Sequence, residues 1–533
     1  MELPIRHRLP RAILVFVLAL AVTPSMWANP GAEPAPATRV QLTMFMPNRG
    51  VAHPVGCDPS DNWAINLVEK YANVDLLLDI PNWSDYTTKV NLLLASANLP
   101  DIVNGNVSAE FLAAAEAGAF LDLKPYYDRS AQMRKACPPL NFELARGAST
   151  KHWVIPMSTT GQEGGWGVIL RYDLLKEYNG GKYPQRVEDY LEWFRWIKRT
   201  WPDSVPVTSR PREGRMFFNS AIIFALHGGD PYLTTFTGGK VVRNINLPPM
   251  RDAVQIYRQL FRDGLLDPEF ATHTSQAYFQ KLQMKRVATE TNTIDQLVPA
   301  MSTVVPSGME KVFAPHLKQY PPGVDPDLIR RQNLAPWPIA GNYTAISAKT
   351  LHPAESWKVL EGFASDELRE ALVWGRAGKE HDVVDGRRVP TDRLFFHDTN
   401  DTDSHYWTLH LGIFWGFWPT EAKYALQRQK NPELFERCYA SSRWLVEAAE
   451  ANGPGWGNYL PQEVLWYAYA KESEAELSTI LANTISWQWT MERYDEELAA
   501  WNRRHQGTVE TWTTWIREHR GEMISKGWEG ADW

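Results

Sequence analysis

The side chains with chemistry to offer in this 533-residue chain are aromatic rings on glycine- and proline-rich loops, with a few polar groups near them. Trp166 follows Gly164 and Gly165, and Trp337 lies in Pro336-Trp337-Pro338-Ile339-Ala340-Gly341 with Tyr343 just beyond. Trp415 and Trp418 share the stretch 412–419, Trp456 sits in Gly453-Pro454-Gly455-Trp456-Gly457, and Trp83 follows an apolar run at 74–80. A flat indole stacks on the apolar face of a sugar ring, and aromatics on such loops carry function more often than aromatics at helical spacing. Asn48, Arg49, Gln162 and Glu163 are the polar partners. Amides donate and accept together, and an arginine fork suits vicinal hydroxyls or a uronate carboxylate. Each ring also has a plain structural reading: hinge packing for Trp166, Trp337 and Tyr343, a lobe surface for Trp83, and loop anchoring for Trp415, Trp418 and Trp456. Most of the 24 tryptophans are read as core.

Covalent chemistry finds little support. The sequence has no HExxH, CxxC, GxSxG, P-loop or strand-linked GxGxxG pattern. Glu380-His381-Asp382 could suggest a metal, but its setting reads as a solvated turn before a short strand pair. A carboxylate pair for glycoside hydrolysis could meet anywhere in the fold, and nothing selects one. Arg171 and Asp173 read as a structural ion pair. The net charge of −7 and the lack of a basic run argue against nucleic acid. No catalytic residue, metal or cofactor is expected.

Stepping from those residues to what positions them, the first lobe reads β-α-β-α-β. Strands are expected at 40–46, 74–80 and from 99, with helices at 63–71 and 86–97 between them. That order predicts a parallel sheet whose ligand lies beyond the strand carboxyl ends, near Asn48, Trp83 and 104–106. The stretch 153–175 reads as strand, glycine-rich loop, strand and helix, and is taken as the first crossing between two lobes, with the cleft beside it. Helices follow at 172–178, 187–200, 219–227 and 248–263, with a hairpin around Gly238-Gly239 and a strand-containing region near 279–289. Residues 336–341 read as a second hinge, 344–348 as a strand, and 354–364 and 366–374 as helices. Beyond 421 the chain reads as mostly helical, with 472–503 the longest candidate and a helical surface appendage after about 508.

The N-terminus reads as a secretory signal: Arg6, Arg8 and Arg11 precede an apolar run at 12–22, with cleavage near Ala28 and a flexible leader at 29–39. No cysteine lies near the cleavage region, so a soluble periplasmic protein is expected rather than a lipid-anchored one. Among the three cysteines, either Cys57 pairs with Cys137 or all three remain free thiols.

Several segments resemble the extracellular solute-binding proteins of ABC importers, in the large sugar-binding family that includes maltose-binding and alginate-binding proteins. They are Ala95-Ser96-Ala97-Asn98-Leu99-Pro100-Asp101-Ile102-Val103, Gly118-Ala119-Phe120-Leu121-Asp122-Leu123, Leu170-Arg171-Tyr172-Asp173-Leu174-Leu175 and Asp263-Gly264-Leu265-Leu266-Asp267-Pro268-Glu269-Phe270, with 354–363 and 374–390. The resemblance implies an α/β periplasmic-binding-protein type II fold: two α/β lobes joined by hinge crossings, a ligand cleft between, and a helical C-terminal part. The lobes are expected at 40–158 plus about 345–410, and at about 163–340 plus 411–533. It implies an oligosaccharide ligand, inner-membrane permease subunits as partners, and a monomer that does no chemistry. The alternative from the residues is a secreted carbohydrate-active hydrolase or lyase with a tryptophan-lined cleft; a non-sugar ligand such as a peptide in the same fold is a smaller third. One departure stands out. Alginate-binding relatives carry an Asp/Asn-rich calcium loop after the helix that here ends at Thr200. This chain has only Trp201-Pro202-Asp203-Ser204-Val205-Pro206, and a lone Asp203 cannot supply six or more oxygens, so no calcium is expected there.

Overall fold

Alternation in Val40-Gln41-Leu42-Thr43-Met44 sends Leu42 and Met44 inward and Gln41 and Thr43 outward, so this run starts a half-buried strand. The structure, a computed structural model, describes residues 39–528 apart from 50, 52, 97, 107–108, 147–148, 159–164, 212–213, 218–220, 284–286, 294–308, 333–338, 397–399, 415–419, 431, 454, 462–463 and 465–473. In chain order its strands are β1 (Val40–Phe45), β2 (Val74–Asp79), β3 (Ile102–Asn106), β4 (Ile155–Ser158), β5 (Trp166–Arg171), β6 (Thr234–Thr237), β7 (Lys240–Arg243), β8 (Thr289–Thr293), β9 (Lys311–Phe313), β10 (Ile339–Ile346), β11 (His381–Val384) and β12 (Arg387–Pro390).

A first sheet has the order β2-β1-β3-β10-β4, and a second has β8-β5-β9. β1 pairs in parallel with β2 and β3, in the β-α-β order read from the sequence. The helix Trp63–Ala72 between β1 and β2 is started by Asn62, whose side chain accepts from Ala64 N and Ile65 N at 3.0 Å, and is ended by Asn73 at φ +56°. Val68 of that helix packs where Gly362 removes a side chain from helix Pro353–Phe363: a Cβ there would lie 3.1 Å from Val68 Cγ1.

The chain passes three times between the sheets. β4 leads to β5, and β9 leads back to β10. The third passage falls between helices Thr420–Lys430 and Pro432–Asn452. Ala422 and Leu426 pack with Trp374 and Trp407 beside the first sheet, and Leu445 packs on Ile169 and Phe313 of the second. Leu411, Ile413 and Phe414, grouped above with the second lobe, sit in the first-sheet core.

Helix Val187–Thr200 drives Trp193, Phe194 and Ile197 into the second-sheet core, which also takes Tyr257, Leu481 and Trp501. The turn after it is held by Lys198 Nζ donating to the Ser204 carbonyl at 2.9 Å.

Four expectations need correction. The region 279–289 is helix Ser275–Gln283 followed by β8, because strand residues begin only at Thr289. The long C-terminal helix is two, Glu474–Ile485 and Met491–Glu518, broken where Trp487 adopts φ +66° and its Nε1 donates to the Arg258 carbonyl at 2.8 Å. The end beyond Thr508 is no surface appendage. Trp512, Ile516, Met523 and Trp528 form a core with Phe236 and Val241 of the β6–β7 hairpin. All three cysteines are free thiols, so the Cys57–Cys137 pair does not form: Cys57 packs beside the Trp374 and Trp407 cluster, and Cys137 is buried under the first sheet.

Candidate functional site

β3 and β4 both run antiparallel to β10, so β1, β3 and β4 end at one edge of the first sheet. Ligands of such sheets lie beyond that edge. Asn48 and Arg49 leave β1 there in a tight turn, with Asn48 N donating to the Pro81 carbonyl and Val51 N to the Asn48 carbonyl, each at 3.0 Å. Asn48 Nδ2 donates to Asn82 Oδ1 at 3.1 Å. Arg49 sits at φ +54°, a left-handed conformation that costs a non-glycine residue about 1 kcal/mol or more.

The Arg49 guanidinium gathers three chain segments. It donates to Asn104 Oδ1 on β3 at 3.1 Å and to the Gly412 carbonyl at 3.2 Å, and it meets Met157 Sδ on β4 at 3.5 Å. Asn104 passes the connection on, donating to Thr344 Oγ1 at 2.8 Å and to the Tyr343 carbonyl at 3.3 Å on β10. Burial lowers the Arg49 pKa to about 10, with Tyr86 acting against that shift, so the group stays charged at neutral pH. Tyr86 stacks on Phe45 at 5.4 Å and lies over Gly105, where a Cβ would come within 1.8 Å of the tyrosine oxygen. Ser158 ends β4 with its amide on the Phe414 carbonyl at 3.0 Å and its hydroxyl accepting from Asn141 Nδ2 at 2.8 Å. The edge is therefore an array of amides and hydroxyls around the half-buried Arg49 guanidinium.

The second sheet offers a different surface. Gly165, at φ +121°, lets the chain pass close to helix Pro432–Asn452, where a Cβ would lie 2.7 Å from Leu445 Cγ. Trp166 then lines a shallow crevice with Tyr190, His316, Tyr320, Gln332 and Trp444. His316 meets the Trp444 ring edge-on at 4.9 Å between centres, and its Nδ1 shares a 3.1 Å hydrogen bond with the Tyr320 hydroxyl. Burial pushes the His316 pKa down, and Arg330 adds to that, which favours the neutral imidazole.

The expected residues are scattered by this geometry. Asn48 and Arg49 meet at the first edge, and Trp166 stands half-buried at the second. Tyr343 is not a ligand-facing ring: it is 4% exposed and belongs to the core with Phe45 and Tyr86. Trp456 packs on Trp512 at 5.7 Å between centres, in the C-terminal core. Trp83 opens helix Trp83–Ser96, and its side chain lies outside the described residues, as do Gln162, Glu163, Trp337, Trp415 and Trp418. Glu380 is no solvated loop residue; it is buried and accepts from the backbone amide and the guanidinium of Arg376, both at 2.7 Å. Arg171 and Asp173 form the expected ion pair, Nε to Oδ1 at 2.8 Å. No local sequence pattern marks Tyr86, His316, Tyr320 or Trp444 as site residues. Tyr86 and Trp444 sit at helical spacing, which reads as core, and His316 and Tyr320 lie in a loop without a motif. Among the described residues, no three or more His, Cys, Asp or Glu side chains are grouped to hold a metal.

No family model matches the chain. Its fold is that of ABC-transporter solute-binding proteins of known structure. It superposes on the alginate-binding protein AlgQ2 solved without calcium with a TM-score of 0.65 and 16% identity, over 90% of this chain and 98% of that one. An HMO-binding, ABC-transporter-associated solute-binding protein of Bifidobacterium longum infantis gives 0.66 and 13%, over 90% and 98%. The Streptococcus pneumoniae substrate-binding protein FusA, in complex with kestose, gives 0.67 and 15%, over 90% and 100%. The lipoprotein LipO of Bacillus subtilis is 25% identical over 229 residues, 41% of this chain and 44% of LipO, so the match spans less than half of that relative.

Proposed function

We propose that this chain is the periplasmic substrate-binding component of an ABC importer, that it captures an oligosaccharide between its lobes, and that it presents the closed form to membrane permease subunits. The observation that carries this reading is the two-sheet architecture shared over 90% of the chain with binding proteins for alginate, HMO and kestose. The site chemistry agrees. Amides and hydroxyls at the first edge suit sugar hydroxyls, and Trp166 and Trp444 suit ring faces. The protein acts as a monomer, carries no catalytic residue and returns its ligand unchanged. Export through a signal at 1–28 places it in the periplasm.

The test is a thermal-shift screen of the mature protein against neutral and uronate oligosaccharides, followed by recovery of the sugar from any hit. Stabilisation with intact sugar is the expected result, since a ligand that binds only the folded state raises its stability by mass action. Stabilisation with cleaved sugar would favour the hydrolase or lyase reading instead. Silence toward every sugar, with a response to peptides, would replace the carbohydrate.

A further inference from the structure

Beside the hydrogen-bonded edge, two histidines meet where the loop after β1 touches the short helix Tyr406–Leu411. The His53 and His410 rings lie 4.9 Å apart, centre to centre, at 47°. Both pack on Trp407, at 5.5 and 6.3 Å. His410 is fully buried, and its Nδ1 is hydrogen-bonded to the Trp407 carbonyl. A carbonyl only accepts, so Nδ1 carries the proton and Nε2 is left with a bare lone pair. Nε2 of His410 and Nε2 of His53 are both buried with no hydrogen-bond partner. Two such nitrogens on neighbouring rings are costly to leave unmet.

We propose that His53 and His410 form a two-histidine site for a divalent transition-metal ion of the zinc type. A ring held by a backbone carbonyl through one nitrogen and free at the other is the arrangement that orients metal-bound imidazoles. The spacing agrees: with metal–nitrogen bonds of about 2.0–2.1 Å at a near-tetrahedral angle, two imidazole centres stand about 5 Å apart. Ligation needs neutral rings. Arg49 repels a dication, and two protein ligands leave the other positions to water. The site is therefore weak, with an affinity in the micromolar range. A bound ion would tie the loop that carries Arg49 to the segment that ends at Gly412.

The test titrates the full-length mature protein, stripped with chelator, with ZnCl2 by calorimetry, and with Co2+ by visible absorption. One equivalent of zinc at micromolar affinity is expected, with a tetrahedral Co2+ band. His53→Ala, on the half-buried partner, and His410→Ala should each weaken zinc at least tenfold and abolish that band. Circular dichroism checks folding, and His53→Ala decides if the buried variant fails to fold. Millimolar or absent zinc binding in the wild type overturns the proposal, as does wild-type affinity in a folded His53→Ala protein. The readout needs no sugar, so it stands apart from the outcome of the carbohydrate screen.

Discussion

Asp230 is a buried carboxylate whose removal should make this protein more stable, by an amount that depends on pH. Its carboxylate accepts from Tyr232 N at 2.8 Å. Burial raises its pKa from 3.8 to about 6, against the pull of Arg215 and the Tyr232 amide. A folded-state value above the unfolded one means that ionisation disfavours the fold. The penalty is absent below the unfolded pKa and grows as pH rises through the folded one. At pH 7.5 the gap is worth about 3 kcal/mol, and at pH 5 about half of that, counting 1.36 kcal/mol per unit. Asp230→Asn keeps the shape and the acceptor for Tyr232 N. The new NH2 group needs a partner, which costs about 1 kcal/mol. The variant should therefore gain about 2 kcal/mol at pH 7.5, and its advantage should shrink by about 1.5 kcal/mol at pH 5. Urea unfolding of both proteins at the two pH values, followed by circular dichroism, measures this. Comparing variant with wild type cancels the other titrating groups. A loss of stability at pH 7.5, or an advantage that does not change with pH, would refute the reasoning.

Other outcomes follow from the same structure. Gly105→Ala should cost at least 2 kcal/mol, since its Cβ would overlap the Tyr86 oxygen and force that ring off Phe45; thermal unfolding reads it. Glu290→Gln should cost about 3–5 kcal/mol, because Lys311, 2.5 Å away and equally buried, loses its counter-charge; Glu290→Gln with Lys311→Met should recover much of that loss in urea unfolding. Burial lowers the His405 pKa to about 4 and the His410 pKa to about 3, below the ordinary 6.5. The unfolded chain protonates first, so stability should fall as pH drops from 6.5, by about 2 kcal/mol for each histidine at pH 5. Unfolding midpoints from pH 7 to 5 test the trend, and His405→Phe should flatten it.

Local signals read well because they are short-range. The alternation at 40–46 and the helices at 63–71, 187–200 and 366–374 each stem from neighbouring residues and formed as expected, although the first of these helices is capped by Asn62 and Asn73, which the sequence had not marked. The β-α-β-α-β order required parallel pairing of its three strands, and β1 pairs in parallel with β2 and β3, while β10 enters the same sheet antiparallel. The tail misled for the opposite reason. Its tryptophans at 512 and 528 are buried only because a hairpin more than 260 residues earlier comes to cover them, and no local pattern records that.

The site divides in the same way. Sequence alone placed Asn48 and Arg49 at the end of a strand, and therefore at the edge where ligands of such sheets lie, because strand order fixes which loops share that edge. It identified Trp166 through the glycines that precede it. Tertiary structure decided what those residues do. The Arg49 guanidinium lies half-buried among β3, β4 and the segment at Gly412, so its donors meet protein groups that are distant in sequence. Tyr343 alternates with its neighbours on β10, and which side faces the core depended on β10 entering between β3 and β4. Trp444 reached Trp166 only because helix Pro432–Asn452 returns to the second sheet after the third passage. A sequence fixes what each side chain can offer and which neighbours along the chain it has. Which distant groups meet it is set by how sheets and helices bury their apolar faces together, and that is a property of the whole packed chain.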